Sequence, residues 1–320
     1  MTTYVGSRAQ RVDSAGKVTG EAVYAVDVQL SGMLFGSAVR SPYPHARIVS
    51  IDASAAWDVP GVKAIVTGAD FPHLFGSAIQ DQPFLAIDKV RFIGEPVVAV
   101  AAESEHAAQR ACELIRVEYE ELPAVLDVYE AMADDAPLVH PDLHNYVRGG
   151  HEIVPHSNIS TVYRHSRGDV EAAFAAADHI FEGEYTAHGL SHVALEVHAA
   201  VAEYDPASKG YTLWVSTDRP FMLRKEITNA LGLDHTQVRL KVMQVGGSFG
   251  GKGIPIAEAI AIALARHAGG RPVRVELTRE EDLTATQSRM PATMRLKTGV
   301  TEDGLLIARQ ADVLWDSGAY

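Results

Sequence analysis

At 320 residues, with 47% apolar and 22% charged side chains, the chain is long enough for two well-filled cores and too apolar to be disordered. A net charge of −13 argues against nucleic acid or an anionic membrane as the main partner, because both demand clustered Lys and Arg. The single cysteine, Cys112, excludes an internal disulfide framework and a cysteine-ligated iron–sulfur cluster within this chain. No apolar secretory core opens the sequence, and no apolar run approaches the roughly 20 residues of a membrane span, so a soluble, cytoplasmic protein is expected.

In chain order, "MLFGSAVR" (33–40) and "VKAIVTGAD" (62–70) read as strands, the first broken by the prolines of "SPYPHAR" (41–47). "EPVVAVAAE" (95–103) is a continuous apolar strand. Ser104 can cap a helix over 105–115, which puts Ala108, Ala111, Cys112 and Ile115 on one face and makes Cys112 a core residue. "RVEYEEL" (116–122) alternates as a strand, completing a strand–helix–strand unit expected to form one small layered domain. Residues 129–160 lose periodicity and read as a connector whose histidines, 140, 144, 151 and 156, are expected to be solvated.

Beyond it, Asp169 can cap an Ala-rich helix (170–177), and "HIFEGEYTA" (179–187) is a strand. A hairpin over 199–217 is expected to turn at Asp205-Pro206-Ala207-Ser208. A helix over 219–233 stops at Gly232, and Asp218, at the preceding strand end, is either its N-cap or a site residue. "QVRLKVMQV" (237–245) is a strand, followed by a glycine loop and a helix stopped by Gly269-Gly270. "RPVRVELT" is a further strand, Thr278-Arg279-Glu280-Glu281 has the form of a capping box, and a long hairpin turns at Glu302-Asp303-Gly304. The last strand runs out at "WDSGAY" with no closing element, an edge expected to pair with something else.

The loop, "VGGSFGGKG" (245–253), carries the chemistry. From Gly246 it matches the start of a phosphate-binding P-loop, but Gly253 stands where the magnesium-binding hydroxyl belongs, which counts against a nucleotide triphosphatase. No G-x-G-x-x-G is present, which excludes a dinucleotide fingerprint. The glycines permit positive φ and bring bare backbone N–H groups close to an anionic or oxo ligand, with the Phe249 ring against it. His188, His192 and Glu196 have an i, i+4, i+8 spacing that could serve zinc on a helix, but the β-prone flanks favour ordinary packed or solvated residues.

"GGSFGGK" resembles the GGGFGGK signature of the molybdenum hydroxylases, the xanthine dehydrogenase and aldehyde oxidase family. Residues 11–52 and 89–127 are similar to the two halves of that family's α/β hammerhead domain. "HVALEVHAA" (192–200), "RPVRVELTREED" (271–282) and "DSGAY" (316–320) match further segments in order. The resemblance implies an α+β fold: an N-terminal extension (1–19), a hammerhead domain (20–128), the connector (129–160) and the first part of a molybdopterin-binding domain (161–320).

It also implies a molybdopterin cofactor with Mo, in the cytosine dinucleotide form, that hydroxylates an aldehyde or an electron-poor N-heterocycle with oxygen from water. Electrons would pass to [2Fe-2S] and FAD partner subunits. Gly246, Gly247, Ser248, Phe249, Gly250, Gly251 and Asp218 would contact the cofactor, and Phe249 and Gly253 the substrate pocket. No protein side chain would ligate the metal.

Three departures stand out. Asp218 replaces the family's usual Gln, and a carboxylate accepts hydrogen bonds where the amide would donate one unless it carries a proton. Gly253 replaces the substrate-binding Glu of the xanthine enzymes, which counts against a purine held in that manner. The glutamate base of a downstream G-x-G-E segment is not in the sequence. Either a second chain completes the molybdenum domain, or the sequence is a truncated fragment, or the chain is a non-catalytic docking or assembly subunit.

Overall fold

The computed structural model describes residues 5–149 and 152–320; His151 and the first four residues of the N-terminal extension lie outside the described residues. The strands expected at 33–40, 62–70, 95–103 and 116–122 form as Leu34–Arg40, Val62–Thr67, Pro96–Ala102 and Arg116–Glu121. Helix Glu105–Leu114 starts where Ser104 accepts from the Ala107 N–H at 3.2 Å. Asp169 caps Val170–Ala175 and Thr278 closes a full capping box on Arg279–Thr284.

The strand–helix–strand unit does not form one layer. Pro96–Ala102 enters a seven-stranded sheet, whereas Arg116–Glu121 pairs with Ala46–Asp52 in a separate three-stranded one. The cause is in the side chains. Pro96–Ala102 is apolar on both faces and needs cover on both. Ala99 and Ala101 face the core that contains helix Ala257–His267, and Val98 and Val100 face the core that contains Ala111 and Ile115. Arg116–Glu121 carries charges at alternate positions and is half solvated.

The large sheet runs Val238–Val242, Gly210–Val215, Ala199–Asp205, Val273–Glu276, Leu34–Arg40, Pro96–Ala102, Val62–Thr67. Its middle is a parallel junction, Leu34↔Val273 to Gly36↔Val275. Strands from both of the expected domains therefore share one sheet and one core. Helix Ala257–His267 lies across it, with Ala257 through Ala265 all buried. That helix begins shortly after the glycine loop, so the loop is followed by a segment buried from Ala257 to Ala265.

The hairpin Ala292–Val300 and Leu306–Trp315 joins His179–Ala187 in a three-stranded antiparallel sheet. Beyond it the chain turns back. The Tyr320 ring packs against His140 at 5.3 Å and Phe92 at 6.1 Å, and its hydroxyl donates to Glu95 Oε1 at 2.5 Å. His140 is correspondingly not solvated: its Nε2 donates to the Ala319 carbonyl at 2.6 Å, and burial pushes its pKa down to about 4.

Candidate functional site

The glycine loop leaves strand Val238–Val242 and lies between two other segments, 194–198 and 216–219. Glu196 anchors it. Its Oε2 accepts from the Gly246 N–H at 2.7 Å, the Ser216 hydroxyl at 2.6 Å and the Lys252 ammonium at 2.7 Å. Lys252 Nζ also donates to Ser216 Oγ at 3.2 Å. The Lys252 and Glu196 side chains are only 2% and 8% exposed. A P-loop lysine must reach a phosphate; this one is turned inward and paired, which removes the nucleotide reading.

A second clamp holds the other end. His198, also buried, places Nε2 3.0 Å from the Gly251 carbonyl and Nδ1 2.7 Å from Asp282 Oδ1. Arg279 donates to Asp282 Oδ2 at 3.0 Å and to the Ala194 carbonyl at 2.7 Å. Burial raises the Asp282 pKa, but the hydrogen bonds from His198 and the Arg279 charge outweigh it and hold the carboxyl below its ordinary value. Thr217 Oγ1 donates to the Lys252 carbonyl at 2.7 Å, tying the strand-end segment to the loop.

Between the clamps the backbone is bare. The N–H groups of Gly247, Ser248, Phe249 and Gly250 have no hydrogen-bond partner among the described residues. Gly247 and Gly250 have φ of 113° and 94°. A Cβ on Gly246 would stand 2.5 Å from Glu196 Cβ. Phe249 is left-handed too, at φ 55°, a conformation that costs a non-glycine residue about 1–2 kcal/mol. Its ring is 76% exposed. Backbone strain of this kind clusters at ligand-binding sites, although Val193 combines positive φ with exposure as well.

Asp218 and Gly253 are placed differently from each other. Asp218 is exposed on the segment before helix Pro220–Leu231, whose N-cap is Arg219, so Asp218 is not the cap. Gly253 is buried, and Arg219 Cδ lies 3.2 Å from where its Cβ would stand. His188 and His192 do not share a helix with Glu196. His192 Nδ1 donates to the Gln287 carbonyl at 3.1 Å, and among the described residues no group of three His, Cys, Asp or Glu side chains is arranged to hold a metal. Cys112 is half-buried and its thiol is pushed up to about 11, chiefly by burial, so it reads as inert.

Sequence reasoning missed Ser216, His198 and Asp282 as the loop's supports. The one local signal was a lone lysine in a glycine run without its phosphate-loop partner residue, which demands an acid elsewhere. Near the loop, a cavity of about 590 Å³ passes Ile254 and Gln287 and reaches Asp81, Arg91 and His140. Burial raises the Asp81 carboxyl to about 6, against the pull of Arg91.

Two family models match the chain: an aldehyde oxidase and xanthine dehydrogenase a/b hammerhead domain over residues 19–123, and a molybdopterin cofactor-binding domain over residues 151–320. The chain is 37% identical to the nicotinate dehydrogenase large molybdopterin subunit of Eubacterium barkeri, covering 99% of this chain and 71% of that one. Among solved structures, a Cu,Mo-CO dehydrogenase superposes with a TM-score of 0.84 at 32% identity, covering 98% of this chain and 41% of that one. Quinoline 2-oxidoreductase from Pseudomonas putida 86 gives 0.80 at 30% identity, covering 98% and 40%. The loop suits the group these matches imply. Four successive amides are free to donate to an oxo or anionic ligand, and residues 246, 247 and 250 keep side chains out of its way.

Proposed function

Because the chain belongs to the aldehyde oxidase and xanthine dehydrogenase family, we propose that it forms the glycine-loop wall of a molybdenum hydroxylase that oxidises an aldehyde or an electron-poor N-heterocycle. The observation that carries this reading is the run of unpaired amides at 247–250, pinned at both ends and crowned by an exposed, left-handed Phe249.

In this reading Gly246, Gly247, Ser248, Phe249, Gly250, Gly251 and Asp218 hold molybdopterin, in its cytosine dinucleotide form. When bound, that group accepts the two electrons of substrate oxidation, with water as the oxygen source. This chain's own part is to donate backbone hydrogen bonds, set the wall that orients the substrate and exclude bulk water. Gly253 lends the pocket no side chain. The neighbouring cavity of about 590 Å³ is lined by none of these residues, so its size does not define the substrate. No residue of this chain is assigned as the base. A glutamate from elsewhere in the large subunit supplies it, and [2Fe-2S] and FAD subunits in the cytoplasm take the electrons.

The test is to co-express the chain with its neighbouring reading frames, then measure bound molybdenum and the nucleotide released by acid. Dye reduction with aldehydes and N-heterocycles follows, in ¹⁸O water. Molybdenum, cytidine nucleotide and ¹⁸O-labelled product are expected. A complex that binds no molybdenum, or that draws its oxygen from O₂, refutes the reading. The docking-subunit alternative is favoured by Asp218. It predicts partner binding without dye reduction by any aldehyde or N-heterocycle, and no effect of Asp218→Gln, whereas a cofactor contact predicts that Asp218→Gln changes turnover.

A further inference from the structure

We propose that Glu196 and Lys252 are positioning residues for Phe249, and that this, rather than fold stability, is what their buried pair accomplishes. One carboxylate oxygen, Glu196 Oε2, binds both ends of the loop, the Gly246 N–H and the Lys252 ammonium, each at 2.7 Å. It also binds Ser216 at 2.6 Å, which belongs to the strand-end segment. Three segments thus meet at one atom.

The other oxygen, Oε1, is buried and has no donor among the described residues. An arrangement that served stability alone would share the donors between both oxygens, or would replace the pair with apolar side chains of similar volume, which is commonly as stable. Concentrating every donor on Oε2 does something else: it fixes the distance between the two ends of the loop. With the ends held, the intervening residues cannot relax, and Phe249 stays left-handed with its ring outward. The absence of a Cβ at 246 belongs to the same device, since the carboxylate stem occupies that space. The His198 clamp holds only the Gly251 carbonyl and does not touch residue 246.

The effect on turnover rests on the functional reading above; the effect on the loop does not. The experiment uses the full chain in its purified complex, with 4-fluorophenylalanine at position 249 read by ¹⁹F NMR, alongside thermal unfolding, kcat and KM. Lys252→Met alone leaves a buried carboxylate unpaired and lowers Tm. The double variant Glu196→Gln/Lys252→Met is neutral on both sides and recovers most of that loss. If the pair positions Phe249, the double variant still gives an averaged, solvent-like ¹⁹F signal, and kcat falls about tenfold to a hundredfold with KM changed much less.

A double variant with the wild-type ¹⁹F signal overturns the proposal and leaves the pair purely structural. Should the double variant not fold, Ser216→Ala removes one of the three donors and is expected to shift the signal part of the way; no shift again overturns it. A perturbed ¹⁹F signal in a complex that never hydroxylates any substrate would sink the functional reading while sparing this one.

Discussion

Replacing Glu95 with glutamine should change the pH dependence of stability in a way its burial dictates. Glu95 is 2% exposed and sits at the foot of strand Pro96–Ala102. Its Oε2 accepts from the Arg91 N–H at 2.6 Å, and its Oε1 from the Tyr320 hydroxyl at 2.5 Å. Burial dominates those two bonds and raises the pKa from 4.5 to about 7. Between these values the folded protein keeps a proton that the unfolded chain has released. Raising the pH through this window therefore favours unfolding, and above it the loss is complete. The span corresponds to about 3 kcal/mol.

A glutamine side chain at this position cannot ionise. Its oxygen can still accept from the Arg91 N–H, and its amide can donate to the Tyr320 oxygen. Guanidinium titrations of both proteins at pH 5, 6, 7 and 8 isolate the effect, because every other carboxyl is common to the two. The stability of the Glu95→Gln protein relative to the parent should rise by about 2–3 kcal/mol from pH 5 to pH 7.5 and then level off. A flat difference across that range, or one that falls, refutes the reasoning and means that Glu95 is charged in the folded state.

Two further outcomes follow from buried groups. Glu226, on helix Pro220–Leu231, is 5% exposed with neither carboxylate oxygen bonded among the described residues, and burial raises it to about 7. Glu226→Met is expected to stabilise the chain at pH 8 by about 1–3 kcal/mol in the same denaturation assay, and a destabilised variant would contradict this. Gly246→Ala forces a methyl to within 2.5 Å of Glu196 Cβ; it should cost about 1–3 kcal/mol and lower Tm, and an unchanged Tm would show that the loop has room to shift.

The elements legible in the sequence were those fixed by neighbours in sequence. Ser104, Asp169 and Thr278 act on amides three residues ahead, and the turns near 205 and 303 lie in single short stretches, so local chemistry sufficed. Motif order also sufficed for the family. The supports of the site were not legible, because each joins distant segments: Glu196 to Lys252 across 56 positions and His198 to Asp282 across 84. The position of Asp218 before a helix suggested a cap, but the helix starts one residue later, at Pro220, and leaves Asp218 outside it. The last strand, Leu306–Trp315, is an edge strand as expected, but the docking of Tyr320 beyond it was not legible, because its ring and hydroxyl are tied down by residues more than 170 positions earlier. The separate fates of Pro96–Ala102 and Arg116–Glu121 depend on which faces find cover, and that is settled only by tertiary packing.

The parallel junction between Leu34–Gly36 and Val273–Val275 sets a timetable for synthesis. Strands Leu34–Arg40, Val62–Thr67 and Pro96–Ala102 can associate early on the ribosome, but one side of Leu34–Arg40 has no neighbour until residue 273 has emerged. At ordinary translation rates that interval is on the order of ten seconds or more. For that time the nascent chain presents an open apolar strand, the kind of surface that chaperones hold and that other nascent chains can capture. The final strand to dock, Val273–Glu276, closes the sheet only after the glycine loop has been made, so the cofactor wall is finished late in the birth of the protein.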